Sequence, residues 1–165
     1  MTDEAQRLHS GPSAGEKPKG VLTSFNLICD GNAEEVLGRC KEVLGSVSAV
    51  NLDPWPSVEQ WGKTLPKWFV DACFPEVTRE EAERRRRLPM ADRERLAEQW
   101  SVGAWTHWFR PSERSWYWWN ARVVDANHAE VQVVSESVPF AMGALKWLCK
   151  AAGARQVSEP QAASF

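Results

Sequence analysis

The 165-residue sequence has few histidines and cysteines, and none of them is spaced like the ligands of a metal site. His9, His107 and His128 form no two-histidine motif, and the four cysteines include no Cys-x-x-Cys pair. A Gly-x-Ser-x-Gly nucleophile motif is missing, as are the closely spaced glycines of a phosphate-binding loop. The sequence therefore predicts no metal and no cofactor, and it favours a protein that is not an enzyme.

The sequence also lacks a large excess of positive or negative charge, and it lacks long hydrophobic runs. Lys and Arg number 20 against 22 Asp and Glu, so the formal net charge is −2, which offers no general attraction to nucleic acid or to anionic membranes. No run approaches the ~18 apolar residues of a membrane span, and the first residues lack an apolar signal segment. With the cysteines interpreted as reduced core residues, we expect a cytoplasmic protein without nucleic-acid or membrane partners.

What the sequence has in excess is tryptophan, with 10 residues. A tryptophan is either a large core residue or an anchor in a contact surface, so its position in the fold decides its meaning. Six of the ten lie between residues 101 and 152: Trp105, Trp108, Trp116, Trp118, Trp119 and Trp147.

Residues 101–136 carry the pattern of three consecutive antiparallel strands. Residues 129–136 mostly alternate between small or apolar and polar side chains, which is the period of a half-buried strand. Residues 116–124 are rich in aromatic and β-branched residues, and an Asp-Ala-Asn-His turn at 125–128 joins the two segments. Residues 102–110 are predicted to form the first strand of this meander.

The register of the last two strands follows from keeping polar side chains away from the valines. Pairing Asp125 with Ala129 places Val123 opposite Val131, whereas a shift by one residue would bury Arg122 beside the valines. Four residues then belong to the core face: Tyr117, Trp119, Ala121 and Val123.

The opposite face of the meander combines aromatic and polar residues, and it is the predicted partner-binding surface. Its residues come from the first two strands: Trp105, His107, Phe109, Trp116, Trp118, Asn120 and Arg122. Aromatic and arginine side chains dominate protein–protein contacts because they bury large areas and carry a polar group. The alternative is that the helices between residues 57 and 100 cover this face, which would make the same side chains core residues.

The ends of the chain are polar and the middle is not. Residues 1–20 are predicted to be a disordered tail and residues 154–165 a polar tail. The intervening residues 21–153 are predicted to form a single α+β domain with helices on one or both faces of an antiparallel sheet.

An N-terminal strand–helix unit opens this domain. The strand at 21–29 is expected to join the sheet, and a helix follows from Asn32 to Gly45, before a second short strand at 46–52. Further helices are predicted to begin near capping or proline-led positions at Ser57, Thr78, Asp92 and Ser137.

A run of four arginines, residues 84–87, lies in the helix predicted after Thr78. Three glutamates precede three of the arginines by four residues, the favourable orientation for helical ion pairs. The expected pairs are Glu80 with Arg84, Glu81 with Arg85, and Glu83 with Arg87. We therefore expect the arginines to be largely neutralised locally rather than to bind nucleic acid.

Three classes of function fit these features. The first is a non-enzymatic protein-binding module that uses the aromatic and arginine face. The second is a small enzyme or ligand-binding domain with a pocket near Asp30 and Asp53, which requires that the strands before them be adjacent and parallel. The third is a structural subunit of a bacterial assembly.

The stretch Ser115–Ala121, with sequence SWYWWNA, resembles segments of small bacterial proteins of the toxin-immunity type. The likeness extends to Pro139-Phe140, Gly143-Ala144-Leu145, Trp147-Leu148 and Ala152-Gly153-Ala154, and it covers about a third of the chain. It implies a cytosolic α+β protein that binds and blocks a partner, such as a toxin, and it assigns no functional residue.

Overall fold

A computed structural model of the chain describes residues 3–162. These residues form eight helices and five strands, which is the α+β class expected from the sequence. The helices are α1 Asp3–Ser10, α2 Ala33–Ser48, α3 Val58–Thr64, α4 Lys67–Ala72, α5 Arg79–Arg86, α6 Met90–Ala97, α7 Val102–His107 and α8 Gly143–Ala151. The strands are β1 Val21–Ile28, β2 Trp116–Asp125, β3 His128–Ser135, β4 Gln156–Val157 and β5 Gln161–Ala162.

The described residues divide into two compact units. Residues 3–50 and 114–162 form the first unit, which contains the sheet with α1, α2 and α8. Residues 51–113 form the second unit, which contains helices α3 to α7. The prediction of a single domain over 21–153 is not tested by this division and stays a prediction.

The sheet of the first unit is antiparallel, with the strand order β2-β3-β1-β4. β1 pairs with β3 from Val21↔Ser135 to Ile28↔His128, which confirms that the N-terminal strand joins the sheet. β5 also pairs with β1. β2 is consequently a terminal strand, and half of its backbone groups face away from β3.

The helix after β1 is longer than its sequence pattern suggested. We expected α2 to end at Gly45, but it continues to Ser48. Val47 extends the buried stripe by three residues from Leu44 and is only 2% exposed, so burial stabilises the extra turn. The short strand predicted at 46–52 is therefore not formed.

The β2–β3 hairpin has a tighter turn than predicted. Asp125 pairs with His128, one residue from the predicted register, and after an irregularity between Val123 and Asp125 the shift is two residues, with Val123 opposite Ala129. A shift of two keeps the same faces, so Val131 is fully buried and Arg122 is exposed, as expected.

An irregularity at Trp119 reverses the face assignment in the first half of β2. The register shifts between Trp118 and Asn120, which is the signature of a bulge. Trp116 and Trp118 consequently pair with Ser135 and Val133 and are buried. The predicted core residues Tyr117 and Val123 are instead 41% and 45% exposed, whereas Trp119 is buried with Leu22 and Val134.

The segment predicted as the first strand of the meander is helical. Residues 102–107 form α7, and the Ser101 hydroxyl accepts a hydrogen bond from the Ala104 N–H as an N-cap. Val102, Trp105, Thr106 and Phe109 recur at helical spacing and are all buried. Burial of this stripe therefore favours a helix, and the three-stranded meander at 101–136 is reduced to a hairpin that pairs with β1.

The second unit is organised around aromatic side chains. The ring centroids of Phe69 and Trp105 lie 4.7 Å apart, and those of Trp105 and Phe109 lie 4.4 Å apart. Trp61 is fully buried, and the ring centroid of Trp55 lies 5.5 Å from its own, with the two ring planes tilted by 57°. Such aromatic contacts stabilise a small helical unit beyond the area they bury.

Both predicted tails contain secondary structure among their described residues. Residues 3–10, expected to be disordered, form α1, in which Glu4 and Leu8 are buried. Residues 156–157 and 161–162 add short strands to β1. The prediction of a disordered N-terminal segment is therefore wrong for α1, because contacts remote in sequence order it.

The four cysteines, all of them among the described residues, form no disulfide and differ in access. Cys29, Cys40 and Cys149 are buried, whereas Cys73 is half-buried. A hydrogen bond with Cys149, together with burial, raises the pKa of Cys40, and burial raises the pKa of Cys29. Only the thiolate is nucleophilic, so these two thiols react slowly.

We therefore expect an aromatic disulfide reagent to modify one thiol quickly in the folded protein and all four after unfolding. A Cys73→Ser variant should show no fast thiol. Rapid modification of two or more thiols in the folded wild-type protein, measured by absorbance, would contradict the burial of the other three.

Candidate protein-binding edge of the sheet

The seven residues predicted to bind a partner do not lie on one surface. Four of them are buried, each at most 2% exposed: Trp105, Phe109, Trp116 and Trp118. Trp105, His107 and Phe109 belong to the second unit, on or directly after α7, because that segment is helical. On β2, Asn120 is half-buried and Arg122 is exposed, so these two remain available in the first unit.

The first half of the outer edge of β2 is closed by α1. The Trp118 N–H donates to Glu4 Oε2 at 2.7 Å, and Arg7 Nε donates to the Trp118 carbonyl oxygen at 3.0 Å. Arg7 also lies over the Trp119 ring, 5.2 Å from its centroid. The Glu4 and Arg7 side chains therefore make the hydrogen bonds to β2 that the backbone of a neighbouring strand would otherwise make.

A buried ion pair holds this closure in place. Arg114 Nη2 donates to both carboxylate oxygens of Glu4, at 2.8 and 2.6 Å, and Arg114 Nε donates to the Trp116 carbonyl oxygen at 2.9 Å. The side chains of Glu4 and Arg114 are 3% and 9% exposed. Pairing and hydrogen bonding compensate each charge for the loss of water.

The second half of β2, residues 121–125, is named the open edge here. Among residues 3–162, no strand pairs with this side of the sheet. Val123 and Val124 expose 45% and 55% of their surface. The Ala121 N–H donates to its neighbour Asn120 Oδ1 at 2.9 Å, which indicates the outward side of the strand. An exposed edge with apolar side chains is a template for pairing with another chain.

A depression of about 630 Å³ lies beside the open edge. Val123 and Asp125 line one side, and Glu34 and Glu35 in the first turn of α2 line the other. Hydrogen bonds from His128 and from the Asn127 N–H lower the pKa of Asp125, which keeps this carboxylate ionised. The depression is therefore apolar at the strand and acidic at its rim.

The alternative pocket near Asp30 and Asp53 is not assembled as predicted. It required two parallel strands, but β1 has only antiparallel partners in the described chain, and residues 46–52 form no strand. Asp30 lies in the first unit, with one carboxylate oxygen 3.7 Å from Arg155 Nη1, and Asp53 lies in the second. The geometry that suggested a shared catalytic site is absent from residues 3–162.

Val123 and Val124 are the functional candidates that sequence reasoning missed. Val123 was assigned to the core face, and Val124 was not considered as a contact residue. What identifies them is that their valine-rich strand lies at the edge of the sheet. That position follows only from the strand order, which the sequence did not indicate.

His, Cys, Asp and Glu side chains form no cluster of three suited to a metal ion within residues 3–162. In the same residues, no helix combines the length and apolar character needed to span a membrane. Comparisons with known protein families, curated proteins and solved structures found no match to this chain.

Proposed function

We propose that this chain is a non-enzymatic protein-binding module that pairs its open edge with an extended segment of a partner protein. The observation that carries the proposal is the contrast along β2. α1 closes one half of the edge, and the other half exposes two valines beside a depression. Addition of a partner strand would satisfy the outward backbone groups and bury both valines.

The surroundings of the open edge favour a segment that carries both apolar and basic residues. An added strand turns alternate side chains to opposite faces of the sheet, so one set faces the depression and the other faces Arg122. Glu34 forms no ion pair with any described residue, whereas Glu35 is paired with Arg39 at 2.9 Å. A lysine or arginine on the depression side is complementary to Glu34 and Asp125.

The resemblance to immunity-type proteins makes a toxin the first class of partner to test. A toxin held in this way would be neutralised if the captured segment belonged to its active site or its receptor surface. The proposal retains Asn120 and Arg122 from the predicted surface. It replaces the buried tryptophans with the two valines.

The decisive experiment selects binders from a displayed library of segments with about six variable residues, the usual length of a strand. We expect enriched segments to alternate β-branched and basic residues. Binding should fall at least about tenfold, or ~1.4 kcal/mol, in the variant Val123→Lys with Val124→Lys, since lysines on an edge oppose strand addition. Hydrogen exchange should show slower exchange at residues 121–125 when the segment is bound.

A matched control is Val21→Lys with Val138→Lys, because these valines are 38% and 56% exposed in the same unit but lie away from the open edge. This control adds the same charge and should bind the selected segments like the wild type. Equal losses in the two double variants, or selection of no segment at all, would count against the open edge.

A further inference from the structure

The helices α5 and α6 of the second unit bury no residue. Helices that are polar all round either bridge domains through solvent, are stabilised by many i,i+4 ion pairs, or are only marginally stable. Leu88 and Leu96 are only half-buried, and Met90, at the start of α6, is 65% exposed. The surface of this helix pair is therefore available, and its charges determine what it can bind.

The arginine run is only partly neutralised. Glu81 binds both Arg84 and Arg85, at 2.6 and 3.0 Å, and these hydrogen bonds lower the pKa of Glu81 to about 2. Glu83 pairs with Arg79 at 3.6 Å, not with Arg87 as the spacing predicted. Arg86 and Arg87 are exposed, and neither forms an ion pair with any residue between 3 and 162.

A third such arginine lies across the turn between the two helices. On α6, Asp92 pairs with Arg95 at 3.2 Å, which leaves Arg93 exposed and without an ion pair among the described residues. Arg93 follows Met90 by three residues, so the two share a face of the helix. Arg86, Arg87, Met90 and Arg93 are all exposed and lie within eight positions around the α5–α6 turn, and they are together called the arginine surface.

Helix stability does not explain all three arginines. Arg86 and Arg87 lie at the C-terminus of α5, where the helix dipole favours a positive charge. Arg93 lies in the first turns of α6, where the dipole opposes a positive charge. The charge of Arg93 therefore gains nothing from its own helix and is available to a negatively charged ligand.

The neighbouring charges restrict the kind of anion. Residues 79–98 hold seven arginines against six Asp and Glu, so the segment as a whole is nearly neutral. A nucleic-acid duplex or an anionic membrane presents charge over a wide area and would also meet Glu80 and Glu94, which are exposed. A short segment can contact the three arginines alone, and guanidinium groups bind carboxylates through two parallel hydrogen bonds.

We infer that the arginine surface, residues 86, 87, 90 and 93 at the α5–α6 turn, binds a short acidic segment of a partner protein that also offers an apolar side chain to Met90. This surface lies in the second unit and does not depend on the open edge of β2. It gives the protein a second contact of different chemistry, driven by charge rather than by strand addition.

The test uses the full chain and two fluorescent peptides, one with several glutamates around a leucine and one with glutamine at each glutamate position. We expect the glutamate peptide to bind, with an affinity that falls as salt is raised, and the glutamine peptide not to bind. The variant Arg86→Gln, Arg87→Gln, Arg93→Gln should lose at least about tenfold in affinity.

The control variant is Arg79→Gln, Arg84→Gln, Arg95→Gln, which removes the same charge from the same two helices but only from paired arginines. It should lose less than about threefold, since paired arginines have little attraction left to offer. Circular dichroism checks that both variants keep their helices.

Three results would overturn the inference. Equal losses in the two variants would show attraction to net charge alone. Failure of the glutamate peptide to bind would remove the acidic segment as a ligand. Tighter binding of a DNA duplex, or of vesicles with anionic lipid, would assign the arginine surface to phosphate instead of carboxylate.

Discussion

Glu4→Gln is expected to lower the free energy of unfolding by about 3–5 kcal/mol, although it changes one atom of one side chain in a short polar helix. Glu4 is 2% exposed, and its carboxylate receives two hydrogen bonds from Arg114 and one from the Trp118 N–H. Glutamine removes the negative charge that offsets the Arg114 guanidinium, and this guanidinium is only 9% exposed. An uncompensated buried charge is among the largest penalties that one substitution can cause.

Urea unfolding followed by tryptophan fluorescence measures this loss. The matched control is Glu59→Gln, because Glu59 pairs with Lys63 at 3.6 Å while their side chains are 83% and 78% exposed. That pair is screened by water, so the control should change the stability by less than about 1 kcal/mol. Combining Glu4→Gln with Arg114→Met should recover part of the loss, because no charge is then left buried. A Glu4→Gln protein as stable as its control would show that the pair is not buried in solution.

This ion pair also shows why part of the fold was beyond sequence reasoning. Glu4 and Trp118 are 114 positions apart, and α1 has only one buried apolar residue, Leu8. Local composition therefore describes residues 1–20 as polar and poor in core residues, which is accurate. What orders α1 is a set of hydrogen bonds to the edge of a remote strand, and no local pattern records it.

The sequence was sufficient to locate an element where its residues fit only the strand pattern or only the helix pattern. The alternation of Val131 and Val133 located β3, and the capping box of Ser57 and Gln60 located the start of α3. At 102–110 two periods competed, because aromatic residues fall at both strand and helix spacings. The helical stripe was present in the sequence, and the cap at Ser101 was the feature that should have decided between the two periods.

The candidate site was predictable only in part, for a related reason. Arg122 was placed correctly on the solvent side, but only because an irregularity between Val123 and Asp125, which the sequence does not indicate, restores the parity that the tighter turn changes. Trp116 and Trp118 were misplaced, because a bulge at Trp119 reverses the parity and leaves no mark in the sequence. The open edge depends on strand order, which is a property of the whole sheet.

The second large prediction follows from the bulge at Trp119. We expect Trp116→Ala and Trp118→Ala each to lower the free energy of unfolding by about 3–5 kcal/mol. Both indoles are at most 2% exposed, so removing either leaves a cavity that the packed core fills only in part. In a strand of alternating residues without the bulge, both tryptophans would lie on the face predicted to bind a partner, and if that face were open their removal would barely change stability.

Tyr117→Ala is the matched control, since Tyr117 lies between the two tryptophans on the same strand and is 41% exposed. Its loss should be distinctly smaller than that of either tryptophan variant, limited to the buried part of the ring and the stacking of Arg114 at 4.2 Å. Denaturant midpoints of the three single variants establish the order. If Tyr117→Ala were the most destabilising of the three, the bulge at Trp119 would be wrong, and the tryptophans would again be candidates for partner contacts. If the order is as expected, any loss of partner binding in the tryptophan variants reflects unfolding, and only substitutions at Val123 and Val124 test the open edge.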